Sequence, residues 1–472
     1  MVFSSLIFIC AFFPVVLILH TVIKNQIIRN GLLLTASLLF YAFGEPVYIF
    51  LMLASTLFNY LFALLMNKEK SKKLFLVLAV IVNLGLLGVF KYAGFLMTNI
   101  NSIAGLSLQV PEIPLPIGIS FFTFQALSYV IDVYRGEVAI QKNYAKLLLY
   151  ISFFPQLIAG PIVRYIDIAK EIDNRSADIK QIAFGMRRFI FGLGKKVLIA
   201  NTMATVADLI FNNGAENLNI LGAWIGAFAY IMQIYYDFSG YSDMAIGLGK
   251  MFGFRFKENF NYPYIANSIQ DFWRRWHISL SSFFKDYVYI PLGGNRKGKF
   301  RTVLNRIIVF ALTGLWHGAN WTFIVWGLFH GFFLLLEEFI PIIKKMPRLL
   351  RHIYTVVAVT VGFVVFRADT INEALVFISK MFSGFDFSAE PMSFAIGTLT
   401  PFFIVMFIAA IVCCGPLSKL TTRVRSLENK EVLTKNDNIL QTATFVVAFL
   451  LLAWCIIRLA GGSYNPFIYF RF

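Results

Sequence analysis

Within Gly314–Gly331, "GLWHGANWTFIVWGLFHG", His317 and His330 are the only ionisable side chains in an otherwise apolar and aromatic run. His317 is followed by Gly318, which admits a close neighbour, and by Asn320, which offers both donor and acceptor groups. A neutral imidazole set among Trp316, Gly318, Asn320 and Trp321 has what a general base needs: room for a substrate, an orienting neighbour and apolar surroundings. The competing reading is a structural histidine satisfied within the core. His330, in "WGLFHGFF", reads as a packing or hydrogen-bonded group. His277, in "WRRWHISL", is flanked by two Trp and two Arg, whereas His20 and His352 sit where apolar runs meet polar segments, as interfacial anchors do.

Carboxylates form the second set. "YYDFSGYSDMAIGLGKMFGF" places Asp237 and Asp243 among apolar residues, where an unpaired charge is costly. They read either as ion-pair partners of nearby Lys or Arg or as groups that line a polar tunnel or orient a catalytic side chain. Ser239 and Ser242 do not form G-x-S-x-G, so a hydrolase-type serine nucleophile has little support. "GGNRKGKF" from Gly293 fits G-x-x-x-x-G-K, but Phe300 stands where a nucleotide-binding loop needs Ser or Thr for magnesium. It reads as a basic turn whose backbone amides, with Lys297 or Lys299, could hold phosphate without a hydrolytic role.

These residues need a scaffold, and composition names it. Mean hydropathy is +0.71, 58% of residues are hydrophobic and 52 are Phe. Soluble domains carry roughly 45–50% apolar residues, so this is a polytopic membrane protein. Runs at 3–23, 47–66, 74–97, 218–236, 393–414 and 443–459 reach spanning length. Shorter or polar-punctuated runs at 31–44, 117–134, 146–163, 182–200, 307–336 and 354–366 read as buried, paired or re-entrant helices. The expectation is an all-α chain with about 10 to 13 membrane-embedded helices. "PLPIGISFFTFQALSYVIDVYRG" and "YISFFPQLIAGPIVRY" break helices with Pro and Gly and insert Gln125, Asp132 and Gln156. Broken helices survive in a bilayer only where protein or a water-filled cavity satisfies the freed backbone, which argues for an internal passage.

The first apolar run has no basic residue before it and no small-residue cleavage site after it, and reads as retained. Its basic flank, Lys24 and Arg29, puts the N-terminus outside and the first loop in the cytoplasm. The net charge of +17 is largely this topology signal, dispersed over loops, and nucleic acid is not an expected partner. Cys10, Cys413, Cys414 and Cys455 lie in apolar runs without ligand spacing, so no metal or disulfide framework is expected. No fixed-period repeat is visible, and the chain reads as one membrane domain over 1–472.

Between Arg255 and Arg306 ten Lys or Arg face three acids, yet the stretch is rich in Phe, Trp and Tyr. At helical spacing Phe272, Trp276, Ser279 and Phe283 share a face, with Arg274, Arg275, Ile278 and Ser282 elsewhere. This pattern predicts an amphipathic helix at the cytoplasmic interface, ended by Pro291 and the glycines after it.

"NYPYIANSIQDFWRRWHISLSSFFKDYVYIPLGGNR" followed by "LTGLWHGANWTFIVWGLFHG" resembles the membrane-bound O-acyltransferase family, specifically its bacterial branch of alginate O-acetyltransferase membrane subunits. "FFPQLIAGPIVRY", "VVFRAD" and "NPFIYFRF" carry the resemblance through nearly the whole chain, and its most family-specific core is about 114–338. The resemblance implies a central tunnel with the family's near-invariant histidine at His317 and its second histidine at His277. It implies transfer of an acyl group from a thioester to a hydroxyl. Under it His317 is the base, and Asn320 or an indole of Trp316 or Trp321, with Trp276, binds substrate or oxyanion. His277 is a donor-side or tunnel group, Arg274, Arg275, Lys297 and Lys299 hold donor phosphates, and Asp237, Asp243 and Gln125 are tunnel or structural polar groups. The implied donor substrate is acetyl-CoA, with no tightly bound cofactor and no metal. The implied setting is the cell membrane, with an extracytoplasmic acetyltransferase partner and a polysaccharide acceptor. D-Alanyl transfer from a carrier protein for teichoic acid modification, peptidoglycan acetylation and, from another class, a secondary transporter remain as alternatives.

Overall fold

Apolar runs without backbone breakers become helices, and every regular element among the described residues is helical. The computed structural model describes the chain apart from Ala159, Glu431, Ser463 and Tyr469–Phe472, and apart from the side chains of Glu69 and Asn429. Half of the expected "NPFIYFRF" motif therefore lies outside the described residues. Among the described residues six helices are long and apolar enough to cross a bilayer, or seven if one bent pair counts as a span. The larger expected number also counted buried and re-entrant pieces, which length and hydropathy do not score.

Two expected helices are broken, the apolar run 393–414 and the amphipathic segment around Trp276, while 307–336 is a helical pair, one of the forms expected of it. The run 393–414 bends by 66° between Ala389–Gly397 and Pro401–Cys414, because Pro401 has no N–H to continue the ladder and Thr400 caps the new helix through Phe403 N–H. The run 307–336 divides at Gly318–Asn320 into Gly298–His317 and Trp321–Phe339. The expected amphipathic helix around Trp276 is two short helices, Ile269–Arg275 and Ile278–Phe284, hinged at His277. Its aromatic face is not interfacial either, since Phe272, Trp276 and Phe283 are buried.

The chain divides into two compact units, 1–189 with 244–257 and 190–243 with 258–472. In the first, Phe3, Phe8, Phe40 and Phe154 interlock with ring centroids 5.0–6.5 Å apart. Asn59 and Asn83 exchange amide hydrogen bonds of 2.7 and 3.2 Å between Tyr48–Leu65 and Lys72–Leu87, pairing polar groups that lipid could not satisfy. His20 is buried against the Phe252 ring at 5.2 Å, so it packs instead of anchoring at an interface. Gln125 is fully buried on Ile119–Arg135, and its backbone carbonyl accepts from Ser128 and Tyr150 hydroxyls.

The second unit is organised on the hairpin of Gly298–His317 and Trp321–Phe339. A Cβ on Gly314 would meet the Phe323 carbonyl, and one on Gly327 would meet the Phe310 carbonyl, so two glycines set how closely these helices approach. Arg306 and Glu338 pair across the open end. The fold's long helix, Ile220–Met251, enters this unit with Asp237 and Asp243. A π-helical turn, Lys195–Ala200, supplies their partners: Lys196 to Asp237 at 2.8 Å and Lys195 to Asp243 at 2.6 Å.

Candidate active site

His317 is the last residue of Gly298–His317, where the chain must turn. Gly318 follows in extended conformation with the Phe323 ring pressed where a side chain would be, and Asn320 restarts the chain by accepting from Thr322 N–H at 3.1 Å. Asn320 also donates to the Asp369 carbonyl at 2.9 Å. It thus caps a helix, the role its residue type serves well at that position.

The His317 ring, 7% exposed, stands edge-on among Trp316, Trp326 and Phe366 at centroid distances of 4.9, 5.1 and 5.1 Å. A cavity opens beside it, lined by Ile234, Phe238, Trp276, His317, Trp326, Phe363, Phe366 and Ile468. His317 is the one ionisable side chain in that lining.

His277 reaches the same place by an unusual backbone. Its φ of 43° and ψ of 54° are left-handed, a conformation that costs a residue with a Cβ roughly 1–3 kcal/mol. Buried Asn259 holds the hinge: its carbonyl accepts from Ile278 N–H at 2.9 Å, and its Oδ1 accepts from Ser279 N–H and hydroxyl at 3.1 and 2.8 Å. The hinge turns the fully buried imidazole against Phe238 at 4.5 Å and Trp316 at 5.7 Å, with its centroid 6.4 Å from that of His317. Burial pushes the His277 imidazole down to about 3, so it is neutral at physiological pH.

Of the other expected site residues, Trp276 lines the cavity and Trp316 touches both imidazoles. Trp321 is half exposed and, like Asn320, is not in the lining. Arg274, Lys297 and Lys299 are exposed, whereas Arg275 pairs with Asp271 at 3.0 Å. In "GGNRKGKF" Gly293–Lys297 form a turn and Gly298–Phe300 open the helix Gly298–His317, with 295–300 exposed and Gly294 buried. Asp237 and Asp243 are ion-paired, which is the structural reading of these two carboxylates. His330 stacks on Phe272 at 6.0 Å with Trp273 and Trp326 at 5.3 and 5.1 Å, as a packing histidine does. His352 Nδ1–H donates to the Ala266 carbonyl at 3.0 Å. No group of three or more His, Cys, Asp or Glu suited to a metal occurs among the described residues.

Sequence reasoning missed the cavity walls Ile234, Phe238, Phe363, Phe366 and Ile468, and the hinge residue Asn259. Phe366 and Ile468 did lie within the motifs "VVFRAD" and "NPFIYFRF". It also missed Trp326, whose indole N–H is buried without a hydrogen-bond partner among the described residues while its ring lines the cavity.

The profile of MBOAT, the membrane-bound O-acyltransferase family, matches residues 119–379, which include both histidines and most of the cavity wall. Over the full length of both chains the protein is 41% identical to a "Probable alginate O-acetylase" of Azotobacter vinelandii. It is 39% identical to a "Peptidoglycan O-acetyltransferase" of Helicobacter pylori, covering 81% of this chain and 80% of that one. A "Teichoic acid D-alanyltransferase" of Bacillus subtilis shares 33% identity over 47% of this chain and 59% of its own. A buried imidazole on the wall of an apolar cavity, helices of membrane-spanning length and full-length likeness to O-acetylases converge: this integral membrane protein belongs to the membrane-bound O-acyltransferase family and is an O-acyltransferase.

Proposed function

We propose that the chain takes acetyl from cytoplasmic acetyl-CoA and passes it through the cell membrane for O-acetylation of an extracytoplasmic polysaccharide, with a separate extracytoplasmic transferase completing delivery. The observation that carries this reading is His317, the one ionisable side chain lining an otherwise apolar cavity. The acceptor hydroxyl gives its proton to the imidazole as its oxygen bonds to the thioester carbonyl carbon. The C–S bond then breaks, and the departing sulfur takes the proton from the imidazolium. General-base help of this kind contributes about 10²- to 10⁴-fold.

The developing oxyanion needs a donor already in place. The Trp326 N–H suits this role better than Asn320 or Trp321, because its ring lines the cavity whereas Asn320 caps a helix and Trp321 faces outward. His277, neutral and wedged between Phe238 and Trp316, orients the second face of the site and is the donor-side group. Arg274, Lys297 and Lys299, exposed outside the spans, with Arg275, offer the phosphates of coenzyme A charge-assisted hydrogen bonds. An acidic carrier protein would meet the same charges, so the acyl group itself has to be tested.

Proteoliposomes holding the protein, its extracytoplasmic partner and a polysaccharide acceptor inside, with radiolabelled acetyl-CoA outside, test this. Acetyl on the enclosed polymer without coenzyme A in the lumen supports the proposal. Labelling only from a carrier-bound D-alanyl thioester overturns the donor, and uptake of an intact solute without acyl transfer overturns the reaction.

A further inference from the structure

The cavity beside His317 has walls from the helix bundle and one wall that arrives separately. Ile468 reaches it on the segment Tyr464–Ile468, which follows the last helix, Lys435–Ala460. That segment is fastened along its length. Tyr464 donates to Asp208 at 3.0 Å, and Asn201 donates to Asn465 at 3.1 Å. Lys196 donates to the Pro466 carbonyl, the Phe467 ring lies 4.6 Å from Tyr241, and Ile468 N–H donates to Asp237 Oδ2 at 2.9 Å. The Lys196–Asp237 pair, each side chain 2% exposed, is thus the buried clasp of a strap and not merely an ion pair inside the core.

We infer that this strap is an acyl-length gauge: the Ile468 side chain closes the cavity to acyl chains longer than acetyl, and Asp237 and Lys196 are positioning residues that hold it there. The inference rests on the acetyl reading above. What holds Ile468 in place is its backbone N–H, so its side chain is free to act as a stop. Shortening that side chain removes wall without releasing the strap. Walls such as Phe366 and Trp326 cannot serve in this way, because both rings also brace His317.

One methylene in an apolar pocket is worth roughly 10- to 200-fold in discrimination. Native membranes carrying the full chain, supplied in turn with acetyl-, propionyl- and butyryl-CoA, are scored for acyl groups on polymer. Ile468→Ala should raise the butyryl-to-acetyl ratio by about tenfold or more, and Ile468→Val should raise the propionyl-to-acetyl ratio with a smaller effect on butyryl. Asp237→Asn, which keeps an acceptor oxygen but removes the charge facing Lys196, should relax the same ratio while lowering all rates. A parent protein that transfers none of the three groups sinks the donor reading. Acetyl transfer with unchanged ratios in Ile468→Ala and Ile468→Val overturns the gauge alone. Loss of all transfer in Ile468→Ala together with an unchanged propionyl ratio in Ile468→Val overturns it equally.

Discussion

Alanine at position 314 adds one methyl group one helical turn before His317, at the point where the two hairpin helices meet. That methyl would stand 2.9 Å from the Phe323 carbonyl carbon and 3.1 Å from Ile324 Cα, both backbone atoms of the facing helix. Ordinary contact begins at 3.4 Å and the Phe323 carbonyl oxygen lies nearer still, so the helices must part by more than 0.5 Å, and no flexible side chain can absorb the strain. Overpacking of this kind costs about 1–3 kcal/mol. Displacing a catalytic group by about 1 Å costs on the order of 10²-fold, so kcat should fall by about tenfold or more. Gly85→Ala is the control, since nothing lies within 4 Å of a Cβ there. Thermal unfolding in detergent and acyl transfer in membranes are measured on all three proteins. Gly314→Ala with the parent kcat and stability would refute the claim that the glycine contact sets the position of His317.

Removing one member of the buried clasp, Asp237→Ala, leaves Lys196 charged and unpaired and should destabilise the protein by about 3–5 kcal/mol, whereas the double variant Lys196→Met/Asp237→Leu should recover most of that loss; thermal unfolding of the three forms checks it. His277 titrates near 3 in the folded protein and near 6.5 when unfolded, so the unfolded chain binds more protons between those values. The stability that neutral His277 contributes is complete above about pH 6.5 and is lost as pH falls toward 3. Denaturation curves at stepped pH should therefore flatten in their acid slope when His277 is replaced by Asn, and a kcat profile should show no His277 ionisation between pH 5 and 9.

The helical, membrane-spanning class was legible because long apolar runs are local signals, and so was the isolated imidazole of His317, which the structure sets on a cavity wall. The breaks were harder. At Pro401 the breaker was visible, but the surrounding apolar residues outweighed it, whereas at Gly318-Ala319-Asn320 a paired or re-entrant run was expected and only the position of its turn was not. At His277 nothing local betrays the hinge: apolar spacing runs through it, and the left-handed backbone is imposed by Asn259, 18 positions earlier. The ionic partners of Asp237 and Asp243 were expected in kind, but Lys195 and Lys196 are brought to them by a π-helical turn that composition does not encode. Asn320, a versatile side chain near His317, carries a structural task that its type also announces: it caps Trp321–Phe339 and donates to the Asp369 carbonyl. Ile468 could not be placed, since a wall supplied from the far end of the chain is a purely tertiary feature.

The most direct test of the whole account is the acetyl-transfer rate of His317→Ala in membranes, with its folding verified by detergent-solubilised monodispersity and thermal unfolding. Folded His317→Ala should transfer acetyl about 10²- to 10⁴-fold more slowly than the parent. A folded His317→Ala that acetylates polymer at the parent rate would contradict it.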